Sequence, residues 1–158
     1  MSRFVATADG IQVQLLGPEI AILLQLGPLL GGAGVEKDDP AAPRLQPQIY
    51  ADDATASREF DRLAAKERVE ARSADRELFR DGLDAAAQGE FMLSAADAAT
   101  WARVLGESRI VLAARKGLFD SGMPTDRPED PEIALVMYLG LLQEELVAEM
   151  LTTMKDAK

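Results

Sequence analysis

The side chains of this sequence that could do chemistry are acids, arginines and a few neutral polar groups, because histidine and cysteine are both absent. Without histidine there is no usual general base near neutral pH and no imidazole metal ligand. Every Ser-His or Cys-His mechanism goes with it. Without cysteine there are no disulfides, no thiolate chemistry and no zinc-thiolate sites. Carboxylates are what remain. Glu144, Glu145 and Glu149 close the last apolar run, and Glu145 and Glu149 lie one helical turn apart on a shared face. Two such groups can hold a hard cation or divide acid and base roles. A metal site requires further oxygen ligands, and none stands at a suitable spacing, so a solvated helix end is the favoured reading. Asp52-Asp53 is a second acidic pair, read as a helix cap. No cofactor and no metal are implied.

Four polar residues stand out for other reasons. Arg109 falls off the apolar stripe of its own helix, and Gln143 directly follows the longest apolar run. Arg44 and Tyr50 sit in a proline-rich segment. An arginine in an ordered loop pairs bidentately with a carboxylate, and Tyr and Arg are favoured interface anchors. Spacing alone does not separate a partner within the chain from one outside it.

These residues must be positioned by a mainly helical chain. The sequence has 158 residues, 47% apolar and 28% charged, with only 5% aromatic. That fits one soluble domain, 1–158, with an aliphatic core. The net charge of -10 disfavours direct nucleic-acid binding. Arg62, Lys66, Arg68, Arg72, Arg76 and Arg80 form the one basic row, read as a solvated helix face among interspersed acids. Residues 15–30 are apolar but broken by Pro18, Glu19, Gln25 and Pro28, short of the ~20 residues of a membrane span. The N-terminus makes a poor signal peptide, and the reading is a cytoplasmic protein without membrane contact.

Asp9-Gly10 between alternating runs predicts a hairpin, with Ile11, Val13 and Leu15 on its buried side. Gly17-Pro18-Glu19 opens an apolar helix that Pro28 should kink or end and that residues 31–34 should stop. Residues 35–50 read as a connecting arm. Residues 53–88 read as helix, about 50 Å long if unbroken, with Ser73 able to cap a second segment. Residues 90–93 fit a third strand. Ser94 to Asp97 resembles a capping box. The helix that follows should bury Trp101, Val104, Leu105, Ser108, Val111, Leu112 and Arg115. The last helix, 130 to about 151, carries ten uncharged residues from 133 to 142. A helix apolar all round must be covered by other elements or by a second subunit, and the apolar helix near the N-terminus is its expected neighbour.

Four blocks in order resemble one family. They are Arg44-Leu45 with Pro47, Tyr50, Asp52 and Asp53; Glu59-Phe60; Leu93-Ser94 with Trp101, Leu105, Arg109, Leu112 and Leu118; and Tyr138 through Gln143-Glu144. The chain resembles the bacterial domain of unknown function 2017 (DUF2017) over nearly its whole length. The resemblance implies no established enzymatic activity. It implies regulators proposed to act on the transcription machinery through a cysteine pair, which this chain lacks. It departs at Leu105-Gly106-Glu107-Ser108 and at Gly140, where the family carries polar or aromatic groups. Because the family pattern carries both Arg109 and Gln143, they are expected to form a buried polar contact, with Glu144 or a backbone carbonyl as partner, or to line a pocket.

The expected fold is mainly α, four to five helices with a small N-terminal β-hairpin that gains a third short strand. Two apolar helices predict a homo-oligomer, most simply a dimer. The expected function is a non-catalytic regulatory or protein-interaction protein that meets a basic partner. The alternative is a small-molecule-binding protein or atypical enzyme with a pocket near Arg109 and Gln143.

Overall fold

The structure is a computed structural model that describes residues 2–30, 39–45, 54–123 and 129–156. Within 54–66 it describes the side chains of Arg58, Glu59 and Ala64 only. The expected stop at 31–34, Tyr50 and the Asp52-Asp53 cap lie outside those residues. So do the side chains of Phe60, Arg62, Leu63 and Lys66.

A three-stranded antiparallel sheet stands at the N-terminus, in the order β1-β2-β3. Strand β1 (Phe4–Thr7) pairs with β2 (Gly10–Val13) through the Ala8-Asp9 turn, with Phe4 opposite Val13 and Thr7 opposite Gly10. Strand β3 (Phe91–Leu93) joins the far side of β2, with Ile11 opposite Leu93 and Val13 opposite Phe91. Of the row expected on the buried side, Ile11 and Val13 are buried, with Phe4 and Leu93 beside them, and Leu15 is half-buried. Gly10 has φ 144°, and a Cβ there would run into the Leu93 carbonyl oxygen. Only glycine allows that approach.

Helix α1 (Gly17–Leu24) ends at Gln25, and a five-residue α2 (Leu26–Leu30) follows. The break precedes Pro28 because the proline ring crowds the carbonyl four residues back, that of Leu24, and offers it no amide hydrogen. After the single turn α3 (Ala42–Leu45), helix α4 (Ala54–Gln88) runs unbroken for 35 residues. Ser73 is exposed within it and caps nothing, since no Pro or Gly forces a break there. Helix α5 (Ala95–Arg115) starts where Ser94 accepts a hydrogen bond from the Asp97 amide at 3.1 Å. It buries Trp101, Val104, Leu105, Ser108, Val111 and Leu112. Arg115 departs from expectation. It is at the surface, donating to the Leu29 carbonyl at 2.5 Å and pairing with Asp39 at 2.9 Å. It thereby ties the ends of α2 and α5 to the start of α3.

A turn, α6 (Leu118–Ser121), leads towards α7 (Pro131–Asp156). The Asp130 carboxylate accepts from the Glu132 amide at 2.8 Å and pairs with Lys116 at 2.7 Å. The hydrogen bond from Lys116 is the main reason its carboxyl is held below the usual range. Helix α7 packs chiefly on α5, while α1 packs on α4. The two apolar helices therefore do not pack chiefly on each other as their composition predicts; α7 meets α1 where Tyr138 donates to Glu19 at 2.9 Å. Val136, Leu139, Leu142 and Leu146 of α7 are buried, but the opposite face is open. Among the described residues no helix is long and apolar enough to cross a membrane.

Trp101 is the centre of the core. Phe79 meets it edge-on at 4.6 Å, and Phe4 and Phe91 lie at 6.4 and 6.2 Å. Gly82 of α4 makes the room, because a Cβ there would lie 2.7 Å from the indole Cζ2. Gly82→Ala gains about 1 kcal/mol of helix propensity and forces the ring to move, at ~1–3 kcal/mol. The expected result is a net loss of stability, read as a lower urea midpoint; a gain would show that the indole shifts freely.

Candidate functional site

Helices α5 and α7 cross where each offers the other a glycine. Gly106 of α5 faces Gln143 of α7, and a Cβ at Gly106 would stand 2.6 Å from Gln143 Nε2. Gly140 of α7 faces Arg109 of α5, and a Cβ at Gly140 would stand 3.1 Å from Arg109 Nε and 3.2 Å from Cζ. Each polar side chain thus lies over the bare backbone of the other helix. The two join: Arg109 Nη1 donates to Gln143 Oε1 at 2.8 Å, and Gln143 Nε2 donates to the Ala102 carbonyl at 3.2 Å. Arg109 thus has Gln143, not Glu144, as its partner, and the contact is at the surface rather than buried. Arg109 is exposed and Gln143 half-buried. Gly106 and Gly140 together create the arrangement.

Beside this pair is a cleft of about 340 Å³. Ile110, Ala113, Leu118, Phe119 and Val136 wall it, and Arg109 and Gln143 are the polar groups on it. Arg44 stands 4.1 Å from the centroid of the Phe119 ring, so it braces one wall through a cation–π contact. Three of the sequence-derived candidates therefore converge on one place. Tyr50 lies outside the described residues. Glu144 points away from Arg109, exposed on the outer side of α7.

That outer side is the second surface of interest. Ala134, Met137, Leu141, Glu144, Ala148, Leu151 and Lys155 repeat at alternating steps of three and four, and all are exposed. Met137, Leu141 and Leu151 keep 42%, 44% and 52% of their surface in solvent. Val147 and Met154 flank the row and are also exposed. This is the spacing of a coiled-coil seam, on a helix whose other face is already used.

The acids behave differently from a solvated helix end. Glu145 accepts from the Arg3 amide at 3.3 Å and pairs with the Arg3 side chain at 3.1 Å. Glu149 accepts from the Ala6 amide at 3.0 Å. One turn apart on α7, the two carboxylates satisfy the backbone amides of Arg3, just before β1, and of Ala6 within it, and so cover the edge of the outer strand. The same Arg3 reaches Glu19 at 2.6 Å, and Glu19 also accepts from the Leu16 amide and from Tyr138 at 2.9 Å each. Glu19 reads from the sequence as an acid in the first turn of α1, and no local signal shows its partners. Burial raises Tyr138 well above the usual phenol range, with Glu19 adding to it, so its hydroxyl stays a donor.

Among the described residues, no group of three or more acidic side chains is placed to hold a metal ion. The basic row of α4 is turned inward in part: Glu107 pairs with Arg76 and lies 3.9 Å from Arg72 Nε, whose Nη2 donates to the Leu45 carbonyl.

A model of one protein family, described as Domain of unknown function (DUF2017), matches residues 1–150. Comparison with curated proteins and with solved structures returned no match.

Proposed function

Because the chain belongs to the DUF2017 family, whose description names no activity, we propose its function from geometry: a non-catalytic interaction protein that works as a dimer joined through α7. The open heptad row on that helix carries the reading. A helix face of this kind in water favours a second apolar helix, and a second copy of this chain brings the matching one. Charge chooses the direction. Parallel pairing sets Glu144 against its own copy. Antiparallel pairing about a two-fold axis through the C-terminal half of the row sets Glu144 against Lys155 of the second copy and Leu151 against its Ala148, and leaves Met137 and Leu141 outside the seam. The remaining surface belongs to a chain of net charge -10, which suits a basic protein partner better than a nucleic acid. A chain without cysteine has no thiol trigger, so the reading keeps interaction and omits redox sensing.

Sedimentation velocity tests it. The wild-type chain is expected at twice 17.0 kDa. Glu144→Lys should weaken the dimer by about tenfold, and adding Lys155→Glu should restore it. A wild-type monomer at tens of micromolar, or a Glu144→Lys variant as tightly paired as wild type, would overturn the reading.

A second reading has its own observation. The cleft of about 340 Å³ beside Arg109 and Gln143 lies within the range of small-ligand sites, ~300–1,000 Å³. It supports a small-molecule site in the same chain.

A further inference from the structure

We propose that the α5–α6–α7 cleft binds a small organic acid with an apolar tail or ring, its carboxylate held by Arg109. The inference rests on the second reading above, that the cleft takes a small molecule, and adds which kind. Among the described residues, Arg109 is the only charged one on the cleft, and no acid lines it. Its hydrogen bond goes to a neutral amide, Gln143 Oε1, through Nη1 alone. Nε and Nη2 make no hydrogen bond, and Arg109 has no ion pair among the described residues. Most other arginines near the core have an acid: Arg3, Arg72, Arg76, Arg103 and Arg115 each face one.

The guanidinium is also held in place. It lies against the bare backbone at Gly140, where even a Cβ would stand 3.1 to 3.3 Å from three of its atoms. Gln143 fixes its Nη1 edge and is itself anchored on the Ala102 carbonyl. An arginine so fixed presents a flat fork suited to a carboxylate. Next to it the walls are hydrocarbon: Ile110, Ala113, Leu118, Phe119 and Val136. A cation at one side of an apolar cleft selects an amphiphilic anion over a sugar or a nucleotide, which would leave polar groups unpaired on those walls. In a chain of net charge -10, the general field repels anions, so attraction of an acid must be local.

The test uses the full chain with octanoate, 3-phenylpropionate, 1-octanol and octylamine as probes, followed by two-dimensional NMR titration. The acids are expected to shift resonances of α5 and α7 and to bind about tenfold or more tightly than 1-octanol, with octylamine weakest. Arg109→Met keeps the apolar stem; it should remove the preference for acids and leave 1-octanol binding unchanged. Ala113→Phe should block acid and alcohol alike, with far-UV circular dichroism confirming that the variant is folded. Equal binding of acid and alcohol, or full acid binding by Arg109→Met, would overturn the anion assignment while the small-molecule reading stood. No shift with any probe at millimolar concentration would overturn both.

Discussion

Replacing Trp101 with Ala is expected to cost about 3–5 kcal/mol of stability. The indole is 1% exposed and in contact range of three phenylalanines from three elements: Phe4 of β1, Phe79 of α4 and Phe91 of β3. From α5 it touches both the sheet and the long helix. A domain of this size is stable by ~5–15 kcal/mol, so the loss is a large fraction of the whole. Trp101→Phe should cost less than Trp101→Ala, for two reasons. A phenyl ring refills part of the cavity, and the indole Nε1 it replaces is a buried donor without a partner among the described residues, whose removal relieves a desolvation penalty. Urea unfolding followed by far-UV circular dichroism at fixed protein concentration measures both, because dimerisation would make the midpoint depend on concentration. A loss below about 1 kcal/mol for Trp101→Ala would mean that the core closes over the gap.

What could be read from the sequence follows from distance along the chain. The hairpin was legible because Asp9-Gly10 and the alternation of Ile11 and Val13 are local signals. The third strand was legible because Phe91–Leu93 is apolar and too short for a helix, and the start of α5 because Ser94 stands three residues before Asp97. The continuity of α4 was not, since Ser73 can cap a helix only where something else breaks the chain. The Arg109–Gln143 pair came from the family pattern, but its cause did not. The cause is reciprocal space at Gly106 and Gly140, which depends on how two helices cross. The roles of Glu145 and Glu149 are not legible locally because their donors, Arg3 and Ala6, lie at the other end of the chain. Local spacing marks a pair of acids on one face and says nothing of a strand edge beside them. Arg115 was misplaced for a related reason: it has stripe spacing, but at the end of α5 the stripe runs past the core and meets Asp39 and Leu29. The apolar length of α7 overstated its burial, because a helix can be apolar all round for two purposes, one face for the core and one left open.

The second large effect is expected at Glu19, where β1, α1 and α7 are joined. Its carboxylate takes three donors, Arg3, the Leu16 amide and Tyr138, with the side chain only 15% exposed. Partial burial by itself raises its pKa; the Leu16 amide, Arg3 and Tyr138 together outweigh that, and the net shift is downward. Arg3 is raised in turn, mainly by its hydrogen bond to Glu19. Glu19→Gln keeps the shape and removes the charge, turning an amide NH2 or a weaker acceptor towards donors that were matched to an anion. The expected loss is about 2–3 kcal/mol at neutral pH. Tyr138→Phe removes one donor of the three and should cost about 1 kcal/mol. The pH dependence follows from the direction of the shift. A carboxyl whose folded pKa lies below its unfolded value, about 4.3, contributes stability that is fully present above that value. It is lost as pH falls through the lower, folded pKa. Wild type and Glu19→Gln should therefore differ most above about pH 5 and converge as the acid limb is descended. Urea unfolding at a series of pH values reads the convergence directly. A gap that stayed constant down to about pH 2.5 would mean that Glu19 acts by packing alone, and that the joint between the sheet and the two apolar helices does not depend on its charge.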